Sequence, residues 1–222
     1  GDVYKRQPQN NQMFMVSLKI ENTGEPDRLI SATSPSANNV SIMNSGHEGS
    51  PIIIPKDGTG ILAMDGAHIM LMTKPGTFTQ GTFIPLNLKF ENAGTVAIRL
   101  QNTSAAVMNH GMSTSVSETP APTMELNWED LPTKNGAKLR LETNNFTFSR
   151  TDDDAAHVPN EGHAHVYLNG LKLGRLYSNT YQIGALLPGN YTLSVALNSN
   201  DHRPYVSDSG PVIGALIFEI QD

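Results

Sequence analysis

The chain has 222 residues, a formal net charge of −6 at pH 7 and no cysteine. An acidic balance without any basic run argues against nucleic acid and anionic membrane surfaces as partners, and no apolar run approaches the roughly 20 residues that span a bilayer. The lack of cysteine excludes disulfides and thiolates, so a metal site must use His, Met, carboxylate or backbone groups.

The first residues are expected to lie outside the fold. The segment "DVYKRQ", residues 2–7, is what a transposase adapter used in preparing sequencing libraries would encode. This indicates a translated metagenomic fragment whose natural start, with any signal peptide, is lost. We therefore assign residues 1–7 to the adapter and leave them out of the fold prediction.

Residues 8–102 are predicted to form a first β-sandwich, truncated at its N-terminus. Short alternating segments are separated by Gly, Pro and Asn turns about every 8 to 12 residues, a spacing typical of sandwiches. The segment "KFENAGTV" predicts a hairpin around residues 92–94.

One strand of this block carries an unusual stripe. "GAHIMLMTKPG", residues 66–76, alternates so that His68, Met70 and Met72 share one face of the strand. Such a stripe on a strand is more often core packing than a binding site. The residues alone therefore leave both interpretations open, and Met72 is the most ambiguous of the three.

The rest of the chain predicts a linker and a second sandwich. Residues 103–123 are rich in Ser, Thr, Ala and Pro without periodicity, which indicates a flexible linker. Residues 124–222 predict an Ig-like sandwich, in which the Asn-Gly pair of "YLNGLKL" is typical of a hairpin. The predicted fold class is therefore all-β, with two β-sandwich domains joined by a flexible linker.

Histidine and methionine recur together along the chain. Thioether sulfur is soft and neutral and imidazole is borderline, so a mixed set favours Cu(I) over Zn(II), Mg(II) or Ca(II). Besides the stripe, the residues of this kind are Met43 and His47 upstream, and Met108, His110 and Met112 in the linker.

The second block holds a different kind of group. His163 and His165 in "GHAHVY" project from one face of a strand about 6–7 Å apart, which suits chelation of one ion. A solvent-facing pair without metal is the alternative. His202 follows in "NDHRPY".

Three segments of the first block carry a family resemblance: "MVSLKIENTGEPDRLISATSPSANNVSIM", "IIIPKDGTGILAMDGAHIMLM" and "GTFIPLNLKFENAGTVAIRLQN". Together they resemble the periplasmic copper chaperone family written PCu(A)C. It implies a cupredoxin-like sandwich that binds Cu(I) through His and Met and supplies the CuA centre of cytochrome oxidase. His68 and Met70 match the family's H-x-M ligand pair.

This chain departs from the PCu(A)C pattern upstream of that pair. Met43 stands where the family has His, and the next segment is shortened to "NSGHEGSP". Met43 and His47 are expected to substitute for the missing ligands, the alternative being a degenerate site. The linker residues resemble tails of the family and would serve as auxiliary copper ligands.

The second block resembles a small domain of secreted bacterial proteins with G-H-A-H and N-D-H motifs. It occurs alongside copper-chaperone domains, which implies a second metal site. The candidate ligands are His163, His165 and His202. A set of histidines alone would suit Cu(II) or Zn(II) better than Cu(I).

The predicted function is that of a periplasmic metallochaperone that captures Cu(I) and hands it to a partner. The expected partner is an oxidase subunit carrying CuA, or another copper chaperone. We expect no enzymatic activity, since no nucleophile elbow, zinc-protease helix, phosphate loop or dinucleotide fingerprint occurs. A copper-sequestering resistance protein and a metal-free interaction module are the alternatives.

Overall fold

The computed structural model describes residues 11–47, 51–103, 114–152 and 154–222. These residues form strands and no helix, which confirms the predicted all-β class. The strands of the first half are β1 (Gln12–Val16), β2 (Leu18–Glu21), β3 (Asp27–Thr33), β4 (Asn39–Met43), β5 (Ile52–Ile54), β6 (Thr59–Leu62), β7 (His68–Thr73), β8 (Phe83–Phe90) and β9 (Gly94–Gln101).

The second half is equally strand-rich, and nowhere in the described ranges is there a helix long and apolar enough to cross a membrane. Its strands are β10 (Val116–Ser117), β11 (Thr123–Thr133), β12 (Gly136–Asn144), β13 (Thr147–Phe148), β14 (Glu161–Leu168), β15 (Leu171–Leu176), β16 (Thr180–Ile183), β17 (Gly189–Ser199), β18 (Tyr205–Ser207), β19 (Gly210–Pro211) and β20 (Ile213–Ile220).

Two sheets of the first half enclose its part of the core. One has the order β1-β7-β4 and the other β5-β3-β8-β9. Alternating aliphatic residues turn inward from both, and Leu29, Ile69, Leu71 and Leu86 have no exposed surface. The predicted hairpin is confirmed between β8 and β9, where the Asp27 carboxylate accepts hydrogen bonds from the backbone of the turn, at 2.8 and 2.9 Å.

The largest sheet joins the two halves. Its order is β2-β6-β15-β14-β17-β20, with β13 added alongside β14. The predicted Asn-Gly hairpin is confirmed between β14 and β15, where Asn169 and Gly170 both have positive φ. A sheet of order β11-β12-β16 contacts this one through Trp128 and Phe218, whose rings lie 5.2 Å apart.

The two halves are joined by strand pairing as well as by the predicted linker, residues 103–123. β6 of the first half pairs with β15 of the second, where Ile61 lies opposite Lys172, and Val116–Ser117 of the predicted linker pairs with β18. The backbone N–H of Ala67 donates to the Gly170 carbonyl at 2.9 Å. Composition and periodicity carry no signal for pairing between segments so far apart in the chain, so this pairing could not be predicted from them.

Candidate functional site

A sheet face rich in sulfur is the first candidate site. β7 is the central strand of the sheet β1-β7-β4, and its partners place residues of like type opposite one another. Met15 lies opposite Met70 and Met13 opposite Met72 on one side, while Met43 lies opposite His68 on the other. The methionine–histidine face consists of Met13, Met15, Met43, His68, Met70 and Met72.

The alternation of β7 separates this face from the core. Ile69 and Leu71 are fully buried, whereas His68, Met70 and Met72 are partly exposed. On the flanking strands, Met13 is 60% exposed and Met43 is 44% exposed. The prediction that the stripe shares one face of a strand is confirmed, and that face points away from the buried aliphatic residues.

The imidazole of His68 is held in an orientation that suits a ligand. Its Nδ1–H donates to the Gly66 carbonyl at 3.0 Å, which leaves the lone pair of Nε2 for an ion. Gly66 belongs to a turn packed against the second half, and a Cβ added there would lie 2.5 Å from the Gly170 carbonyl oxygen. The second half therefore fixes the turn that orients His68.

Of the other predicted ligands of the first site that the structure describes, only some lie close to His68. The structure brings Met43 to His68, in register across β4 and β7. His47 lies in the following turn and lines a cavity together with Asn190 and Thr192 of the second half. Met108, His110 and Met112 fall outside the described residues.

A buried histidine pair is the second candidate site. His163 and His165 of β14 share a face, as predicted, and their Nε2 atoms lie 3.0 Å apart. They are only 3% and 7% exposed, so the solvent-facing arrangement does not occur. The ring of His202 approaches that of His163, with 5.3 Å between centroids.

The far side of the His165 ring faces a polar network that spans both halves. Its Nδ1 lies 3.4 Å from the Tyr167 hydroxyl, 3.4 Å from Asn198 Nδ2 and 3.7 Å from Asp65 Oδ2. The Asp65 carboxylate also accepts from the Tyr167 hydroxyl and from Lys172 Nζ, each at 2.7 Å. Asp65 thereby ties the turn before β7 to β14 and β15.

Burial sets the protonation of this group. Desolvation, reinforced by the neighbouring His165 and Arg175, lowers the pKa of His163 to about 3. Desolvation also lowers the pKa of His165, although Asp65 opposes the shift. Burial alone would raise the pKa of the Asp65 carboxyl. Contacts with His165, Lys172 and Tyr167 outweigh burial and hold that pKa well below its ordinary value. The histidine pair is therefore neutral at physiological pH.

Sequence reasoning missed three residues of these sites. Met13 and Met15 are absent from the predicted ligands, although "MFM" has the same alternation as the stripe in β7. Asp65 gave no sequence signal, because its partners lie about 100 residues further along the chain.

Donor chemistry limits what the sites can hold. Across the described ranges, no group of three or more His, Cys, Asp or Glu side chains is arranged to hold a metal ion. A site on the first face would therefore depend on thioether sulfur, and a site at the histidine pair would need a third ligand to move into place.

Comparisons with known proteins add little about the whole chain, and no curated protein matches it. Two solved structures are similar over most of their length. They are the CupB2 chaperone of Pseudomonas aeruginosa, with 9% identity, TM-score 0.26 and coverage of 92% of this chain and 91% of that one, and fibronectin(III)-like modules of Clostridium thermocellum CbhA, with 13% identity, TM-score 0.28 and coverage of 94% and 93%. Similarity at this level carries no argument about function.

The first half matches a known family model, but the assignment to PCu(A)C is wrong. The motifs behind that assignment are largely turn and strand chemistry, which different β-sandwich families share. The family model that matches residues 1–102 is described as "Putative lipoprotein LpqE-like". Lipoproteins of this kind are typically located outside the cytoplasm.

Proposed function

We propose that this protein binds Cu(I) on the methionine–histidine face and carries it outside the cytoplasm. The observation that carries the proposal is the gathering of five thioethers and one imidazole on one face of a three-stranded sheet. Soft neutral sulfur with one borderline nitrogen selects Cu(I) over the harder divalent ions.

The ligands that fit best are His68, Met43 and Met70. His68 and Met43 are directly opposed across β4 and β7, a relation that puts their Cβ atoms roughly 4.5–5.5 Å apart. Met70 follows His68 on the same face of β7, about 7 Å along the strand. Methionine has three rotatable side-chain bonds, so both sulfurs can converge on an ion at His68 Nε2. Met15, opposite Met70, is a further thioether in reach of that sulfur.

The exposure of the face suits capture followed by release. Met43 is 44% exposed, so ligands of a partner can approach the ion while it is bound. A neutral thioether holds Cu(I) without charge attraction and can be exchanged for a stronger ligand. A core methionine would provide no such access.

The proposal includes a periplasmic location, which the lipoprotein description of the matching family model supports. It does not include the CuA centre of cytochrome oxidase. That partner came only from the PCu(A)C resemblance, which the family match contradicts.

Anaerobic competition against a chromogenic Cu(I) chelator tests the proposal. We expect His68→Ala and Met70→Leu to weaken Cu(I) binding at least tenfold, and Met43→Leu to weaken it by several fold. Met64→Leu is the matched control, because Met64 is 56% exposed but lies in a turn outside the face. A variant with Met108, His110 and Met112 replaced measures any contribution of the linker residues.

Unchanged affinity in all three face variants would contradict the proposal. The exposed apolar face would then be better explained as a surface for binding another protein. If only the linker variant lost affinity, the ion would bind to the linker residues, and the face would likewise be excluded.

A further inference from the structure

We infer that His163, His165 and His202 form a second metal site, which takes Cu(II). None of these residues belongs to the methionine–histidine face, so this inference stands independently of the proposed function. Two of the histidines lie on β14, and the third lies in the turn that follows β17.

The spacing of the pair favours one coordination geometry. With imidazole–metal bonds of about 2.0 Å, Nε2 atoms 3.0 Å apart would subtend roughly 97° at a shared ion. That angle is close to the right angle between neighbouring positions of the tetragonal Cu(II) arrangement. A linear Cu(I) pair would require a separation of about 4 Å, so the spacing favours an angular arrangement of the two imidazoles.

His202 is placed to complete the set. Two imidazoles on one ion have ring centroids about 4.5–5.2 Å apart for bond angles between 90° and 109°. The observed centroid separations are 4.9 Å between His163 and His165 and 5.3 Å between His163 and His202. The His202 ring is partly exposed, so solvent reaches this end of the cluster, and the ring would have to turn from its present contacts to reach the ion.

The turn that carries His202 is rigidly held. The Asp201 carboxylate accepts from Arg203 Nε at 2.8 Å, and the His202 backbone N–H donates to the Ser199 carbonyl at 3.0 Å. His202 itself has a φ of +64°, a conformation uncommon outside glycine and often found at functional sites. In the same turn, buried Asn200 Oδ1 accepts no hydrogen bond from the described residues.

The surroundings of His165 orient its Nε2 toward such an ion. The Nδ1 atom of His165 faces the Tyr167 hydroxyl at 3.4 Å and the Asp65 carboxylate at 3.7 Å, both of which can accept from an Nδ1–H. The Asn198 amide nitrogen, also 3.4 Å from Nδ1, can only donate to it and so opposes this tautomer. A carboxylate or hydroxyl behind a ligating histidine is the usual support of a metal site, since it fixes the tautomer that leaves Nε2 unprotonated. Asp65 is thus a positioning residue, held by Tyr167 and Lys172.

The competing explanation is that the two rings form only a structural hydrogen bond. Such a bond requires one proton between the two Nε2 atoms, and it predicts no affinity for metal. The two explanations therefore differ in whether copper reaches these nitrogens.

Cu(II) titration of the full chain, followed by electron paramagnetic resonance, distinguishes them. We expect one tightly bound Cu(II) with a tetragonal spectrum and hyperfine splitting from imidazole nitrogens. His163→Gln and His165→Gln should each weaken binding at least tenfold, and His202→Gln by several fold. His157→Gln is the matched control, since the His157 ring is held by Glu118 at 2.7 Å. His68→Ala should leave the Cu(II) spectrum unchanged.

An unchanged affinity and spectrum in both His163→Gln and His165→Gln would overturn the inference. Near-UV circular dichroism checks that these variants fold. If either does not, the wild-type spectrum decides, because fewer than two coupled imidazole nitrogens would equally overturn it. Loss of the signal only when His110 is replaced would assign the copper to the linker and have the same consequence.

Discussion

Replacing Asp65 by Asn is expected to destabilise the protein by about 2 kcal/mol. The carboxylate accepts two hydrogen bonds of 2.7 Å, one from Tyr167 and one from the cationic Lys172. A hydrogen bond to a charged group contributes roughly 1.5–3 kcal/mol. The amide oxygen introduced in the variant Asp65→Asn would retain part of one of these two hydrogen bonds. The Lys172 side chain, only 15% exposed, would lose its charge partner.

The magnitude is below the roughly 3–5 kcal/mol expected for breaking a fully buried ion pair. The reason is that the Asp65 side chain is 42% exposed, so solvent screens the lost charge. Urea unfolding is the assay. With a slope near 2.5 kcal/mol/M, a loss of about 2 kcal/mol lowers the midpoint by about 0.8 M.

Acid should remove the difference between the two proteins. The pKa of Asp65 is lowered in the folded state, so its contribution is fully present above the ordinary value near 4. It is lost as pH falls through the depressed folded pKa. The midpoints of wild type and Asp65→Asn should therefore converge only below about pH 4.

A surface ion pair provides the control. Glu25 and Lys56 lie 2.7 Å apart, as close as Asp65 and Lys172, but are 74% and 41% exposed. We expect Glu25→Gln to leave the urea midpoint unchanged. Equal shifts for Asp65→Asn and Glu25→Gln, or no shift for either, would refute the reasoning that Asp65 joins the two halves.

Three further predictions concern the turn, the core and the histidine pair. Gly66→Ala should lower the urea midpoint and weaken Cu(I) binding, because the added Cβ meets a backbone oxygen at 2.5 Å. Gly24→Ala is the control: its added Cβ has room, so neither the midpoint nor Cu(I) binding should change. Leu71→Ala, at a fully buried position, should cost about 2–5 kcal/mol in urea unfolding; a smaller loss than for Met72→Ala would contradict the assignment of inner and outer faces. In a chelator-treated sample, the free energy of unfolding should fall as pH drops from about 6.5 to 3, because burial lowers the pKa of His163 to about 3 and the unfolded chain takes up the proton first. His163→Gln should make that fall shallower, and an identical slope would contradict the neutral buried pair.

Local structure was largely predictable from the sequence. Alternation assigned His68 and Met70 to one face of a strand, and the Asn-Gly pair assigned the hairpin at residues 169–170, because both signals depend on neighbours in the chain. Sequence spacing likewise placed His163 and His165 on one face of a strand.

What the sequence could not provide is the pairing between distant segments. The placement of Met15 beside Met70 depends on the register of β1 against β7. The contact of Asp65 with Lys172 depends on the docking of two halves that composition alone separates. Long-range register is set by packing and by turn geometry together, so Asp65 became part of the site only in the folded structure.

The family resemblance failed for a related reason. Its motifs were strand and turn segments that position residues but do not by themselves define a metal site. The match of residues 1–102 to a different family model removes the proposed oxidase partner. It leaves the chemistry of the methionine–histidine face to be judged on its own geometry.

X-ray absorption at the copper edge of the Cu(I)-loaded protein tests the central claim most directly. We predict a three-coordinate ion with two sulfur ligands and one imidazole nitrogen, from Met43, Met70 and His68. His68→Ala should remove the imidazole contribution and keep the sulfur. A first shell of nitrogen or oxygen alone, or a spectrum unaltered in His68→Ala and Met70→Leu, would contradict the account.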